Sequence, residues 1–356
     1  MKALVKFALE DRALEVRELE IPTLQPNTVL VRVHTVGVCG SDIHMWHNSQ
    51  STSSRGKLPV TLGHESAGVI AAVGVDVTEW SVGDRVVTET AASICGACAL
   101  CRSGRYNLCP RREGYGLLRD GAMAEYLIAE PRVLHRIPES VSFEHAAMTE
   151  PFAVAYNAVV ERANVLPGTL VVIQGAGTIG LLALQVALLR GAATTVVLGT
   201  PVDAHRLQKA KEMGATHTVD ITAENPADLI ATLHDGLGAD LVVEATGVSI
   251  ALKQSMELVR PGGAIAKVGW GPQPLDYTLD PLVKKAVTLY GCYSHTWNTW
   301  ENVLRLFATG QLHPESALGG VYPIEEWETA FSAMQKGDNI KSVLRMPYGL
   351  EETAAR

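Results

Sequence analysis

Six residues, Gly175-Ala176-Gly177-Thr178-Ile179-Gly180, constrain this chain more than any others because of what flanks them. They directly follow the apolar run L-V-V-I (170–173) and open a long apolar segment, 178–190. A G-x-G-x-x-G alone carries little information. Between a strand and a helix it reads as a turn that binds a dinucleotide pyrophosphate. Gly175 permits the tight turn, Gly177 lets the pyrophosphate approach the backbone, and Gly180 lets helix and strand pack closely. The helix N-terminus, with Thr178 and Ile179 in its first turn, faces the phosphates. The alternation then continues: T-T-V-V-L (194–198), a helix through 206–213, H-T-V-D-I (217–221), a helix near 226–234, and A-D-L-V-V-E-A (239–245). That order of elements predicts a parallel, doubly wound sheet.

The second strand leaves the choice of dinucleotide open. Gly199 lies 19 residues beyond Gly180, where a chain that binds the adenosine ribose through its 2′-hydroxyl usually carries Asp or Glu. Asp203 could substitute if the loop curls back. Thr200, His205 and Arg206 could instead accept a 2′-phosphate. No Arg or Lys follows Gly199 directly, so the reading leans to NAD over NADP.

Up to about residue 155 the pattern is different. V-L-V-R-V-H-T-V (29–36), G-V-I-A-A-V-G (68–74) and G-D-R-V-V (83–87) are short alternating runs punctuated by turns, which predicts an antiparallel, β-rich domain. The start, M-K-A-L-V-K, reads as a first strand and lacks the apolar core and cleavage site of a signal peptide.

Two metal-type constellations fall in this half. Cys95, Cys98, Cys101 and Cys109 are spaced C-x2-C-x2-C-x7-C. Four thiolates closing in one loop suit tetrahedral structural zinc. Two of the gaps are only two residues long, which disfavours disulfides. An iron–sulfur cluster is the other thiolate option. The second set is Cys39-Gly40-Ser41-Asp42-Ile43-His44, then Gly63-His64-Glu65, then Thr149-Glu150-Pro151. A thiolate, an imidazole and a carboxylate can form an open zinc site with one position left for water or substrate. Singly, each is ambiguous, since a lone Cys after a strand is usually a small buried hydrophobe.

At 356 residues the chain has room for two domains. Its formal charge of −8, from 30 basic and 38 acidic residues, argues against a nucleic-acid partner. The longest apolar runs are too short or interrupted to cross a bilayer, which predicts a cytoplasmic protein.

Taken together, G-V-C-G-S-D-I-H, L-G-H-E-S-A-G-V-I, V-G-D-R-V, the four-Cys segment, M-T-E-P and G-A-G-T-I-G resemble the zinc-dependent medium-chain alcohol and polyol dehydrogenases, over essentially the whole chain. The branch looks nearest to the sorbitol, L-idonate and L-threonine dehydrogenases. The resemblance implies an α/β protein: a GroES-like, β-rich catalytic domain (1–155 and 291–356) and a Rossmann NAD(P)-binding domain (156–290). It implies two zinc ions per chain. Cys39 and His64 would bind the catalytic one, with Glu65 and Glu150 as a carboxylate pair that ligates it or holds its water. Cys95, Cys98, Cys101 and Cys109 would bind the structural one, remote from chemistry. Asp42 would orient a ligand imidazole, and Ser41 with His44 would relay the alcohol proton to solvent. The implied reaction is reversible oxidation of a secondary alcohol (polyol, diol or sugar-type) to a ketone by hydride transfer. An L-threonine 3-dehydrogenase is the alternative enzyme, and a non-catalytic zinc- and dinucleotide-binding protein the alternative class. Trp46, His47, Tyr115, Phe152, Trp270 and His295 are candidate pocket residues. His295 stands where sorbitol dehydrogenases commonly have Arg, which turns the reading toward a related polyol, diol or sugar acid. The resemblance also suggests a homo-oligomer, dimer or tetramer, to which V-T-L-Y-G-C (287–292) could contribute a strand pairing across a two-fold axis.

Overall fold

The computed structural model describes residues 1–49 and 56–347. Strand Leu170–Gln174 is buried along its whole length and lies at the centre of a six-stranded sheet. It pairs in parallel with Thr194–Gly199 on one side and Ala239–Glu244 on the other. His217–Asp220 extends the first side, and Val259–Lys267 followed by Thr288–Gly291 extends the second. Strands buried on both faces need continuous apolar side chains, which is why L-V-V-I and L-V-V-E do not alternate. The chain reverses its direction of strand addition at Leu170–Gln174, and ligands of such sheets bind at the carboxyl ends beside that switch point. Helix Thr178–Leu189 starts there. The helix expected near 226–234 is shorter, Pro226–Ile230. His234 and Gly236 adopt positive φ just beyond it and turn the chain into the next strand.

The other half is built on a seven-stranded sheet, mostly antiparallel. Val29–Gly37 pairs with Glu65–Val73, which pairs with Arg85–Thr88. The chain returns to this sheet at its far end. Lys341–Arg345 pairs antiparallel with Val29–Gly37, bringing Val343 opposite Gly37. A small sheet of Lys2–Lys6, Leu14–Glu18 and Val60–Thr61 covers one end.

The largest core runs across the junction of the two sheets. Leu181, Leu184 and Ile173 of the parallel half pack in one cluster with Phe152, Phe307 and Trp300. Helix Thr149–Tyr156 carries Phe152 and presents its buried face to that cluster. No helix among the described residues is long and apolar enough to cross a membrane.

Candidate active site

The register of the antiparallel sheet assembles the first site. Gly37 stands opposite Glu65, so the end of one strand meets the start of the next. Cys39 follows the first strand and caps helix Gly40–Trp46. His64 precedes the second strand and follows Gly63, whose φ of +92° few side chains tolerate. The Cys39 sulfur, a His64 nitrogen and a Glu65 oxygen thereby lie within 4.8 Å of one another.

Sequence reasoning missed two residues that hold this arrangement. Lys341, fully buried, donates to Glu65 Oε1 at 2.5 Å and to the Val38 carbonyl at 2.7 Å. Its only signal was a lysine at the head of the strand K-S-V-L-R, but its partner lies 276 residues away and no local pattern names it. Gly37 is the other. A methyl group there would overlap the Glu65 carboxylate and press on the Lys341 side chain.

Asp42 is buried beside His64, but what it holds is backbone. Its carboxylate accepts the Cys39 N–H at 2.8 Å and also the Gly63 N–H. It therefore ties together the two segments that carry Cys39 and His64, and acts on the imidazole through its charge.

Glu150, in the first turn of its helix, lies outside the three-donor group. Its Oε1 accepts from the Thr90 hydroxyl at 3.0 Å and from His295 Nε2 at 3.0 Å. The Trp300 indole N–H donates to His295 Nδ1 at 2.6 Å, which fixes Nε2 as the nitrogen that donates to Glu150. His295 thus stands behind Glu150.

The electrostatics call for a cation. Burial alone would lower the pKa of His64, yet the Cys39 thiolate, by charge and hydrogen bond, then Asp42 and Glu150, raise it to about 10. Burial would raise Glu150, but the hydrogen bond from His295, with the charges of His64 and Lys341, brings it down to about 2. A group of donors that takes up a proton this strongly is one in which a metal would displace that proton. The donor set, one thiolate, one imidazole and one carboxylate, fits zinc.

These residues share a cavity of about 440 Å³ with the parallel half. Cys39, Ser41, His44, His64, Glu65 and Glu150 line one side, and Thr178, Ile179, Thr246 and Val268 the other. Burial and the neighbouring His47 hold the His44 pKa below its usual 6.5, so this relay candidate is neutral at pH 7 and able to accept a proton. Of the expected pocket residues, Tyr115 and Trp270 line this cavity. Trp46 does not: it packs edge-on against Trp327 and Phe331, at 5.7 and 5.9 Å. Phe152 does not either, being fully buried against Phe307 at 5.0 Å. His47 pairs with Asp11 at 2.9 Å, away from the cleft. An aromatic side chain looks the same in sequence whether it faces a core or a cleft, so only packing separates the two.

The glycine loop has the shape its spacing implied. A methyl at Gly180 would overlap the Gly175 carbonyl, whereas one at Gly177 would meet nothing within 4 Å. That open backbone at a helix N-terminus suits a pyrophosphate. The Thr178 hydroxyl donates to the Ile340 carbonyl at 2.5 Å, next to Lys341. At the second strand, Asp203 folds back over Gly199, its Cβ 3.1 Å from where a methyl would stand. Its carboxylate accepts the N–H and hydroxyl of Thr200 at 3.1 and 3.0 Å. Arg206 donates through one terminal nitrogen to the same Asp203 carboxylate at 3.4 Å and through the other to the Met334 and Asn339 carbonyls at 2.9 and 3.2 Å.

Cys95, Cys98, Cys101 and Cys109 also converge, their sulfurs within 4.8 Å of one another and none in a disulfide. Backbone N–H groups of Cys98 and Cys101 point at the sulfurs of Cys95 and Cys98, at 3.3 and 3.5 Å. The thiolates do not line the cleft, yet the segment around them reaches it. Asn107 donates to the Tyr293 carbonyl at 2.9 Å, and Arg112 lines the cavity.

Comparison with known proteins agrees with this geometry. Residues 25–139 match the alcohol dehydrogenase GroES-like domain, and residues 178–309 the zinc-binding dehydrogenase family. A sorbitol dehydrogenase of Halalkalibacterium halodurans is 39% identical over 97% of this chain and 99% of its own length. The solved alcohol dehydrogenase TADH of Thermus sp. ATN1 superposes with a TM-score of 0.88 at 32% identity, covering 97% of this chain and all of that one, 100%. A zinc-binding dehydrogenase of Sinorhizobium meliloti 1021, solved bound to NADP, gives a TM-score of 0.88 at 29% identity over 97% of this chain and 98% of that one. The chain belongs to the zinc-binding medium-chain alcohol dehydrogenase family, and is a zinc-type, NAD(P)-dependent alcohol or polyol dehydrogenase.

Proposed function

We propose that this protein oxidises a secondary hydroxyl of a polyol or sugar-type substrate to a ketone, reversibly, with NAD as hydride acceptor. The observation that carries it is the convergence of Cys39, His64 and Glu65 on the same cleft that Thr178 and Ile179 line from the glycine loop. Cys39, His64 and Glu65 would hold the catalytic zinc, with Glu150 beside them. When bound, zinc acidifies the substrate hydroxyl and NAD accepts the hydride. The chain's own residues do the rest. Ser41 takes the departing proton and passes it to His44, whose depressed pKa keeps it ready to accept. Lys341 keeps Glu65 in place, and His295 does so for Glu150. Gly175, Gly177 and Gly180 receive the pyrophosphate, and Cys95, Cys98, Cys101 and Cys109 hold the second zinc.

Asp203, folded over Gly199, supports NAD, because it brings a carboxylate to the end of the second strand, and Arg206 beside it is held by that carboxylate and by the Met334 and Asn339 carbonyls. The catalytic domain would comprise 1–155 and 291–356, enclosing a dinucleotide domain at 156–290. Strand Thr288–Gly291 is the edge of the parallel sheet and would pair with its copy in an oligomer. A panel of polyols, diols and L-threonine, assayed with each cofactor alongside metal analysis, tests the reading. Two zinc ions per chain and ketone formation with NAD are expected. An amino ketone from L-threonine as the preferred product, or no turnover with one zinc per chain, would overturn it.

A further inference from the structure

Among the described residues two fixed cations line the catalytic cleft, Lys341 and Arg112. Lys341 is committed to Glu65. Arg112 has no carboxylate partner among the described residues. Its two terminal nitrogens donate to neutral oxygens, the Tyr293 hydroxyl at 3.0 Å and the Ser294 hydroxyl at 3.4 Å. The guanidinium lies 5.5 Å from the Tyr293 ring. Its Nε is buried and bonds to nothing. Arg260 and Arg345, by contrast, each face a carboxylate, at 3.0 and 2.7 Å. The acids lining the cleft are all engaged elsewhere: Glu65 with Lys341, Glu150 with His295 and Thr90, Asp42 with the Cys39 backbone.

The position of Arg112 is built rather than incidental. Its N–H donates to the Cys109 carbonyl at 3.0 Å, so the four-cysteine lobe sets its backbone. Asn107 and Asn157 donate to the carbonyls of Tyr293 and Ser294, at 2.9 and 2.8 Å, and hold the loop on which the guanidinium rests. One terminal nitrogen and the Thr90 carbonyl both lie 3.7 Å from where a Gly114 methyl would stand, and the Thr90 hydroxyl bonds Glu150. The charge is thus set on the wall of the cavity that Cys39, His64, Glu65 and Glu150 also line. At the mouth, the rings of Trp270 and Tyr293, 5.7 Å apart, are both part exposed.

We infer that Arg112 is a specificity-determining residue that receives an anionic group, a carboxylate or a phosphate, on the substrate whose hydroxyl reacts at Cys39, His64 and Glu65. This rests on the function proposed above. A guanidinium presents a planar fork that matches either oxyanion in a bidentate pair, and it stays charged at every working pH. A neutral polyol can offer it only weaker hydrogen bonds. The substrates are therefore sugar acids or sugar-alcohol phosphates in preference to free polyols.

The test compares matched compounds: a pentitol, its terminal phosphate, and the aldonate of the same carbon number. Each is assayed with the zinc-loaded enzyme and its Arg112→Gln and Arg112→Lys variants, and each is titrated calorimetrically into the zinc-loaded protein with cofactor present. In the unsubstituted enzyme, kcat/KM for one anion should exceed that of the pentitol by at least about tenfold. Arg112→Gln should reduce that ratio by about 10- to 100-fold, mostly through KM, as expected for losing charged hydrogen bonds. Arg112→Lys should restore part of it. Whichever anion shows the larger loss identifies the carboxylate or the phosphate. A preference for the neutral pentitol overturns the inference. So does an equal fall for neutral and anionic compounds, which would mean that Arg112 only braces the 293–294 loop. A raised KM for the dinucleotide with the ratio unchanged also overturns it. If no compound is oxidised, the proposed function fails, and the calorimetric affinities of anion and pentitol, with and without Arg112, still decide this inference.

Discussion

Cys95, Cys98, Cys101 and Cys109 meet within one short loop, whereas Cys39, His64 and Glu65 meet only because two strands pair in one register. The loop site carries its own support: N–H groups of Cys98 and Cys101 already aim at neighbouring sulfurs. The strand site imports its support, since Lys341 comes from 276 residues away and Glu150 and His295 from other elements. A site of the first kind is legible from spacing and survives as a unit. A site of the second kind is only as good as the packing of the whole molecule, and can therefore be open on one side and tuned by distant charges. The two are not independent, however, because Asn107 and Arg112 carry the loop's position into the cleft.

Substitutions can break or sharpen that contrast. The largest effect is expected for Cys39→Ala, which should lower kcat by a factor on the order of 10³ or more, since a Lewis acid contributes several kcal/mol to the barrier. Zinc content should fall from two per chain to one while circular dichroism is unchanged. Survival of turnover in that one-zinc protein would show that the strand site is not the reacting one.

Lys341→Met should destabilise the fold by about 3–5 kcal/mol, because it leaves the buried Glu65 without its countercharge. The urea midpoint measures this, and the double variant Lys341→Met/Glu65→Gln should recover most of the loss. An additive double variant would mean that the two side chains do not depend on one another.

Cys101→Ser should lower the thermal midpoint by roughly 5–10 °C before it affects kcat. Because the loop carries Arg112, KM should rise in the same variant. An unchanged midpoint with kcat abolished would erase the division between the two sites.

The smallest effect is expected for His135→Gln. His135 is buried between Glu301, at 2.7 Å, and Glu89, at 3.2 Å. Burial lowers its pKa, but the hydrogen bonds and charges of Glu301 and Glu89 outweigh it and raise the folded value above 6.5. Stability from the protonated ring is therefore complete below pH 6.5 and is lost as pH rises through the folded pKa. The variant's midpoint deficit should be larger at pH 6 than at pH 9. An equal deficit would assign His135 to packing alone, against Trp300 at 5.4 Å.

Much of this site could be read before the fold was known. The glycine loop and the four cysteines were named from spacing and neighbours, because each is a local stretch whose geometry the backbone nearly dictates; Cys39, His64 and Glu65 were named as donor types in separate motifs, and strand pairing brings them together. Trp46 and Phe152 were misread as pocket residues, since burial is decided by what arrives from elsewhere: Trp327 and Phe331 for one, Phe307 for the other. Asp42 was read as orienting a ligand imidazole; it acts on His64 through its charge and in addition holds the backbone of Cys39 and Gly63, which the sequence did not show.

The sequence by itself determined that this chain has a dinucleotide turn, a four-thiolate loop and the donors of an open metal site. The turn and the loop depend on residue type and on separations of a few positions, which covalent geometry converts directly into shape; the metal-site donors were legible only as residue types in separate motifs. Only the tertiary structure decided that Lys341 would neutralise Glu65, that Gly37 must lack a side chain, that His295 would serve Glu150, and that Arg112 would face the cleft without an acid of its own. Each of these is a contact between segments far apart in the chain, and charge, burial and free space at such a contact exist only after the sheets have paired and packed.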